Sequence, residues 1–306
     1  MAPNNLNGAN HTTGSGGSHN KLQAAIAKDG FVIIPSILTS EELSILRNAC
    51  SSTITLARSG QWPHVRTLPT QFPPWPQSPP PSTGIWGVQH LLHPDLPASP
   101  IFAKSYFHPR VLGAARDIIG CKDEELVMEL YNLLVRPDED FKLRWHRDDI
   151  PWDASDGEEM DRLPDPAFHA QWNLALYDDE SLIAVPGSHV RAKTKEERSR
   201  DTMDDMPRQV KVKLKAGDAV FYNNNIIHRG VYEKGTERMT LHGSVGDVRG
   251  GDLRARNVLQ HAVGEWVEQC DFGAMEDKER ERAEAMRSRL VELGRGREDV
   301  GYSQKN

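Results

Sequence analysis

The chain has 306 residues, with 44 acidic and 37 basic side chains and a formal net charge of −7 at pH 7. That length suits one large domain or two small ones, and the negative balance, with no long basic block, gives no support to nucleic-acid binding through phosphates. No apolar run of about 18 residues predicts a membrane span, the N-terminus lacks the basic start and apolar stretch of a secretory leader, and three scattered cysteines (Cys50, Cys121, Cys270) predict a reducing, cytoplasmic setting rather than a disulfide framework.

Residues 1–20 are rich in Gly, Asn and Ser and read as a disordered tail before a single domain over 21–306. Leu22 to Ala27 predicts a short helix that Gly30 breaks, and the apolar run FVIIP that follows predicts a buried strand. Thr39 or Ser40, followed by Glu41 and Glu42, marks a helix start, with a capping side chain and negative charge in the first turn. Residues 59–83 carry many prolines together with Trp62, Phe72 and Trp75, which excludes regular structure. A loop this long is either a binding lid or a surface insertion. Helix returns over 101–120, with Gly120 placed to cap it. This N-terminal helical part extends to residue 125.

From 126 to 246 the pattern changes to short β-like runs: LVMELYNLLV, FKLRWH, HAQWNLAL, LIAVP, VKVKL, AVFYNN, IIHRGVY and MTLHGSV. Turn residues separate them, which predicts a sandwich or barrel without βα alternation. A helical tail is expected over 255–306, with a charged helix at 276–293. The fold class expected is mainly β with flanking α-helices.

His146 and Asp148 end the run FKLRWHRD. Strand side chains alternate faces, so these two point one way and Arg147 and Asp149 the other. One imidazole and one carboxylate on a shared face make half of a facial metal site. A distant second histidine completes a set that suits non-haem iron(II) and leaves coordination positions open. The best third ligand is His228, in GDAVFYNNNIIHRGVY.

Four stretches carry a resemblance: DGFVIIPSILTSEELSILR, WHRDD, QWNLALYDDESLIAVPGSHV and FYNNNIIHRGVYEKGTERMTLHG. In content, order and spacing the chain resembles the phytanoyl-CoA dioxygenase-like family of oxygenases, over roughly residues 28–245. The resemblance implies a double-stranded β-helix, a cupin-like jelly roll with the metal between two sheets. It implies Fe(2+) as cofactor, 2-oxoglutarate and O2 as cosubstrates, and a small organic molecule as substrate. It also implies oxidation of a C–H bond with release of succinate and CO2. Family members that halogenate lack the carboxylate ligand, so Asp148 favours hydroxylation, or the related desaturation, epoxidation or ring closure.

For 2-oxoglutarate, Arg238 lies where the family places the arginine that binds the distal carboxylate, and a guanidinium fork suits that group. Thr236 shares its strand parity and offers a hydroxyl. Trp172 and Asn132 also match cosubstrate-contacting positions. Arg144 departs from the commonest pattern and either touches a carboxylate or forms a rim charge. Trp86, His90 and Trp152, with Trp62 and Trp75, predict a pocket for an apolar or aromatic small molecule. His189, in PGSH, matches a turn motif and reads as structural, and Asp178-Asp179-Glu180 reads as a turn. Two rival readings stay open: a cupin-type metalloenzyme that does not use 2-oxoglutarate, and a non-catalytic jelly-roll binding module.

Overall fold

The computed structural model describes residues 16–306. The expected tail lies largely outside them, although the first helix, α1 (Gly16–Asp29), begins within it. Strand β1 (Phe31–Ile34) follows, then α2 (Ser40–Arg58). Thr39 caps α2: its hydroxyl accepts from the Glu42 amide, and the Glu42 carboxylate accepts from the Thr39 amide. Strand β2 (Val65–Thr67) forms inside the 59–83 segment expected to hold no regular structure, because it pairs with β3 (Ile85–Val88), and the prolines from Pro69 to Pro81 lie between the two. The single helix expected at 101–120 is two, α3 (Ser99–Tyr106) and α4 (Pro109–Ile119). Pro109 cannot continue a helix from α3 but is well suited to the first turn of the next. Gly120 ends α4 in the left-handed conformation.

The β region holds β4 (Leu126–Val135), β5 (Phe141–Lys142), β6 (His169–Ala175), β7 (Leu182–Ala184), β8 (Val210–Lys211), β9 (Ala219–Tyr222), β10 (His228–Tyr232) and β11 (Met239–Asp247). Short helices α5 (Asp156–Arg162) and α6 (Lys195–Ser199) lie in its loops. Two antiparallel sheets result, ordered β1-β9-β6-β11-β4-β3-β2 and β5-β10-β7-β8. This is the expected jelly roll. The chain then forms α7 (Gly251–Leu259) and α8 (Asp277–Gly294), which pack on each other and on β4.

The larger sheet has two different faces. Its outer face packs apolar side chains (Trp172, Leu174, Leu241, Val245) against the helices in one continuous core. Its inner face carries polar residues in register: Asn173 sits opposite His242, and Gln171 opposite Ser244. Those inner residues line a cavity between the sheets. No helix among the described residues is long and apolar enough to cross a membrane.

Candidate metal centre and cosubstrate cavity

His146, beyond the end of β5, and His228, the first residue of β10, face each other in an isolated antiparallel bridge, each amide donating to the other's carbonyl at 3.1 Å. Directly opposed residues present side chains to the same face, and the imidazole centroids are 4.3 Å apart. Each ring is oriented from behind. Nδ1 of His146 donates to the Arg144 carbonyl and Nδ1 of His228 to the Ile226 carbonyl, both at 2.9 Å. A carbonyl only accepts, so both Nε2 atoms keep a lone pair for a metal. Both lie 3.6 Å from Asp148 Oδ1. The other carboxylate oxygen, Oδ2, accepts from Gln171 Nε2 at 2.9 Å.

The three ligand atoms lie within 4.8 Å of one another, the group among the described residues that could hold a metal ion. Burial holds His146 neutral, its pKa pushed down to about 4 with help from His228 and against the pull of Asp148. Burial opposes ionisation of Asp148, but the two histidines and Gln171 outweigh it and keep the carboxylate below its ordinary range. Two imidazoles and one carboxylate on one face fit iron(II).

The triad opens on a cavity of about 220 Å³. Phe72 stands edge-on to His146 at 4.9 Å, and Trp75 and Trp86 form further aromatic wall. The C-terminal segment forms part of the cavity wall. Gln304 donates to the carbonyls of Arg147 and Ile150, and the Asn306 amide group bonds the backbone of Gln71 and Phe72 on both sides.

The profile of the phytanoyl-CoA dioxygenase (PhyH) family matches residues 26–235. The chain belongs to that family. It is therefore an iron(II)- and 2-oxoglutarate-dependent oxygenase, and the donor set above is the one such an enzyme requires. No curated protein matches the sequence. Solved structures share the fold. AviO1 from Streptomyces viridochromogenes Tue57 is 18% identical, with 75% of this chain and 95% of that chain covered and a TM-score of 0.55. EctD from S. alaskensis, solved with 2-oxoglutarate and 5-hydroxyectoine, is 17% identical over 79% of this chain and 81% of its own, with a TM-score of 0.54. HygX from Streptomyces hygroscopicus, with nickel and 2-oxoglutarate bound, is 20% identical over 74% and 86%, with a TM-score of 0.50.

Other expected site residues are distributed less simply. Arg238 lines the cavity, buried, but its Nε donates to Asp179 Oδ2 at 3.2 Å, so its charge already has a partner. Its Nη1 is buried without a partner. Thr236 is corrected: it is exposed in the turn before β11, bonded to Glu233. The hydroxyl beside Arg238 comes from Thr240, which donates to the same Asp179 oxygen at 2.6 Å. Trp172 is also corrected. It faces away from the cavity, packed on Tyr106 and Phe221, where Gly243 leaves it room; a Cβ there would fall 2.3 Å from the indole. Asn132 does not line the cavity either. Its side-chain oxygen accepts from the His90 amide, and His90 faces a neighbouring recess against His64 and Trp266. Arg144 and Trp152 line an outer recess, with Arg144 over the Phe72 ring at 4.8 Å and Lys193 over Trp152 at 4.7 Å. Trp86 does line the cavity.

Several cavity residues were not among the expected site residues: Gln171, Asn173, Arg66 and Arg254. A signal for two of them lies in HAQWNLA, where His169, Gln171 and Asn173 alternate with Ala170, Trp172 and Leu174. All seven positions are buried, so a polar stripe on one face marks a polar interior.

Proposed function

We propose that this enzyme hydroxylates a C–H bond of a small, largely apolar organic molecule, converting 2-oxoglutarate and O2 to succinate and CO2 as one oxygen atom enters the product. The observation that carries this reading is the position of His146, Asp148 and His228 on the wall of a cavity that Phe72, Trp75 and Trp86 also line. The bound iron would supply oxygen activation. The chain's own contribution is orientation and exclusion of water. Gln171 fixes the direction of the Asp148 carboxylate, and the aromatic wall offers the substrate an apolar seat. The cavity volume suits a small molecule, in line with EctD, whose structure holds 5-hydroxyectoine.

The experiment is a metabolite panel incubated with the iron-loaded enzyme, scored by substrate-dependent succinate release and by the mass of the product. The expected result is one compound that releases succinate and gains one oxygen atom. Oxidation without consumption of 2-oxoglutarate would favour the cupin-type reading. Loss of two hydrogens instead of gain of oxygen would replace hydroxylation by desaturation or ring closure.

A further inference from the structure

Beside the metal cavity lies a second recess, of about 360 Å³, that holds none of the metal ligands. Pro74 and Trp75 of the proline-rich segment wall it, with His64, Gln89 and His90 from the ends of β2 and β3 and His261 from the end of α7. Trp75, His261 and Tyr302 line both hollows, so the two share a wall. His261 and Tyr302 lie beyond residues 26–235, the span shared with the family profile. The recess is therefore built partly from segments particular to this chain.

The side chains of His64, Gln89, His90 and His261 make no hydrogen bond among the described residues. Gln89 is 6% exposed and His90 5%. Side chains this deeply buried are nearly always hydrogen-bonded. None of their polar atoms is sealed inside protein, so the surface they keep opens on the recess they line.

The surroundings fix these groups in place. His90 has a left-handed backbone, with φ of 62°, a conformation that costs a residue with a Cβ and persists only where neighbours impose it. Asn132 helps to impose it by accepting from the His90 amide at 3.2 Å. The His90 ring stands edge-on between His64 at 4.9 Å and Trp266 at 5.4 Å. His261 packs edge-on against Tyr302 at 5.0 Å, and the Tyr302 hydroxyl donates to the Gln260 carbonyl at 3.1 Å.

Burial keeps the imidazoles uncharged. It lowers the pKa of His64, with His93 adding to the effect and Glu265 opposing it, and pushes His261 down to about 4. It holds His90 well below the ordinary range, helped by His64, His93, His261 and Arg66. A neutral imidazole offers one donor and one acceptor, and the Gln89 carboxamide offers both kinds. Trp75 and Pro74 add apolar surface. Such a lining matches a neutral ring that carries hydroxyl or amide groups.

Resting on the proposed function above, we infer that the recess is a second substrate subsite, which seats a neutral, hydroxyl- or amide-bearing ring at one end of the molecule while the apolar end presents its C–H bond in the metal cavity. Hydrogen bonds made in the recess, away from the reacting atoms, hold the substrate in register.

The test uses the full chain loaded with Fe(II) and 2-oxoglutarate, as wild type, Gln89→Met and His261→Phe. Both substitutions keep side-chain bulk and remove hydrogen bonding, and they lie on separate elements. The ligands are phenyl β-glucoside, a neutral hydroxylated ring joined to an apolar one, and phenyl β-glucuronide, which adds a carboxylate. Anaerobic calorimetry measures their binding, charge-transfer absorbance measures that of 2-oxoglutarate, and succinate release is followed in air. Wild type should bind the glucoside more tightly than the glucuronide, because neutral imidazoles offer a carboxylate no charge. The glucoside should also raise succinate release. Each variant should bind the glucoside roughly 2- to 10-fold more weakly, the range for one neutral hydrogen bond, with 2-oxoglutarate binding unchanged. The assignment is overturned if wild type binds neither glycoside or prefers the glucuronide, or if both variants match wild type. It is also overturned if the glucoside leaves succinate release unchanged, or if the variants weaken 2-oxoglutarate equally. A wild type with no charge-transfer band would overturn the cosubstrate reading itself, and this role with it.

Discussion

Glu159 lies outside the cavity, yet its loss should reach the metal. Its carboxylate accepts from Arg147 Nε at 3.1 Å, Lys193 Nζ at 2.5 Å, the Lys193 amide at 2.9 Å and Arg198 Nη2 at 2.6 Å. The side chains of Glu159, Arg147 and Lys193 are at most 1% exposed. Arg147, the residue between His146 and Asp148, spends its remaining donors on the carbonyls of Ser188, Arg191 and Asn225. Glu159 therefore braces the strand that presents the metal ligands. Glu159→Ala strands two buried cations, while Arg198, 28% exposed, can turn to water. Breaking a buried pair in this way costs about 3–5 kcal/mol, which in a chain of this size lowers the melting temperature by on the order of 10 °C. Glu159→Gln keeps one acceptor and should lose less. Urea denaturation followed by circular dichroism, together with Fe(II) titration, checks both effects. The pH dependence has a definite sign. Burial opposes ionisation of Glu159, but Lys193 and Arg147 outweigh it and hold the group below its usual value. Its contribution is therefore complete above the unfolded value of about 4.3 and is lost as pH falls through the lower, folded one. A Glu159→Ala protein within about 1 kcal/mol of wild type would refute the argument, since a buried pair broken at one end cannot be that cheap.

Alanine at His146, Asp148 or His228 should abolish turnover and weaken Fe(II) binding; near wild-type activity in His228→Ala would remove that residue from the triad. Gln171→Leu should leave the fold intact and lower Fe(II) affinity by about 10- to 100-fold, the usual effect of removing the partner that orients a ligand, and equilibrium titration with a competing chelator would measure it. Asn306→Ala should speed protease cutting within residues 68–84, because it removes three backbone contacts at Gln71 and Phe72. Unchanged cutting would show that the loop is held by its aromatic packing alone.

The proline-rich segment shows how far composition reaches. Prolines keep residues 68–84 out of the sheets, but Val65–Thr67, within the 59–83 segment expected to hold no regular structure, forms β2 by pairing with β3; the tryptophans suggested a role at the pocket. Trp75 and Trp86 do line the cavity, whereas Trp62 is buried in the main core with its indole N–H on the Gln89 carbonyl. Nothing local separates these outcomes, because an indole gains from burial at either place.

Short-range periodicity carried the rest of what could be read. The Thr39 cap, the β runs and the shared face of His146 and Asp148 all follow from contacts within a few residues, which is why a single chain displays them. Which histidine meets that face, and which side of a strand is the inside, are long-range facts. His228 stands opposite His146, 82 positions apart in the numbering, because the intervening helices and strands fold so as to bring the two segments together. Trp172 and Gln171 alternate as a strand demands, but the larger sheet buries both faces, one under helices and one around a polar cavity. Alternation fixes the difference between neighbours and leaves the label of each face to packing. The same holds for charge: Asp179, 59 residues from Arg238, takes up its guanidinium, while Arg66 forms no ion pair among the described residues. Sequence supplies the ionisable groups, and only the folded chain decides which of them are left for a ligand.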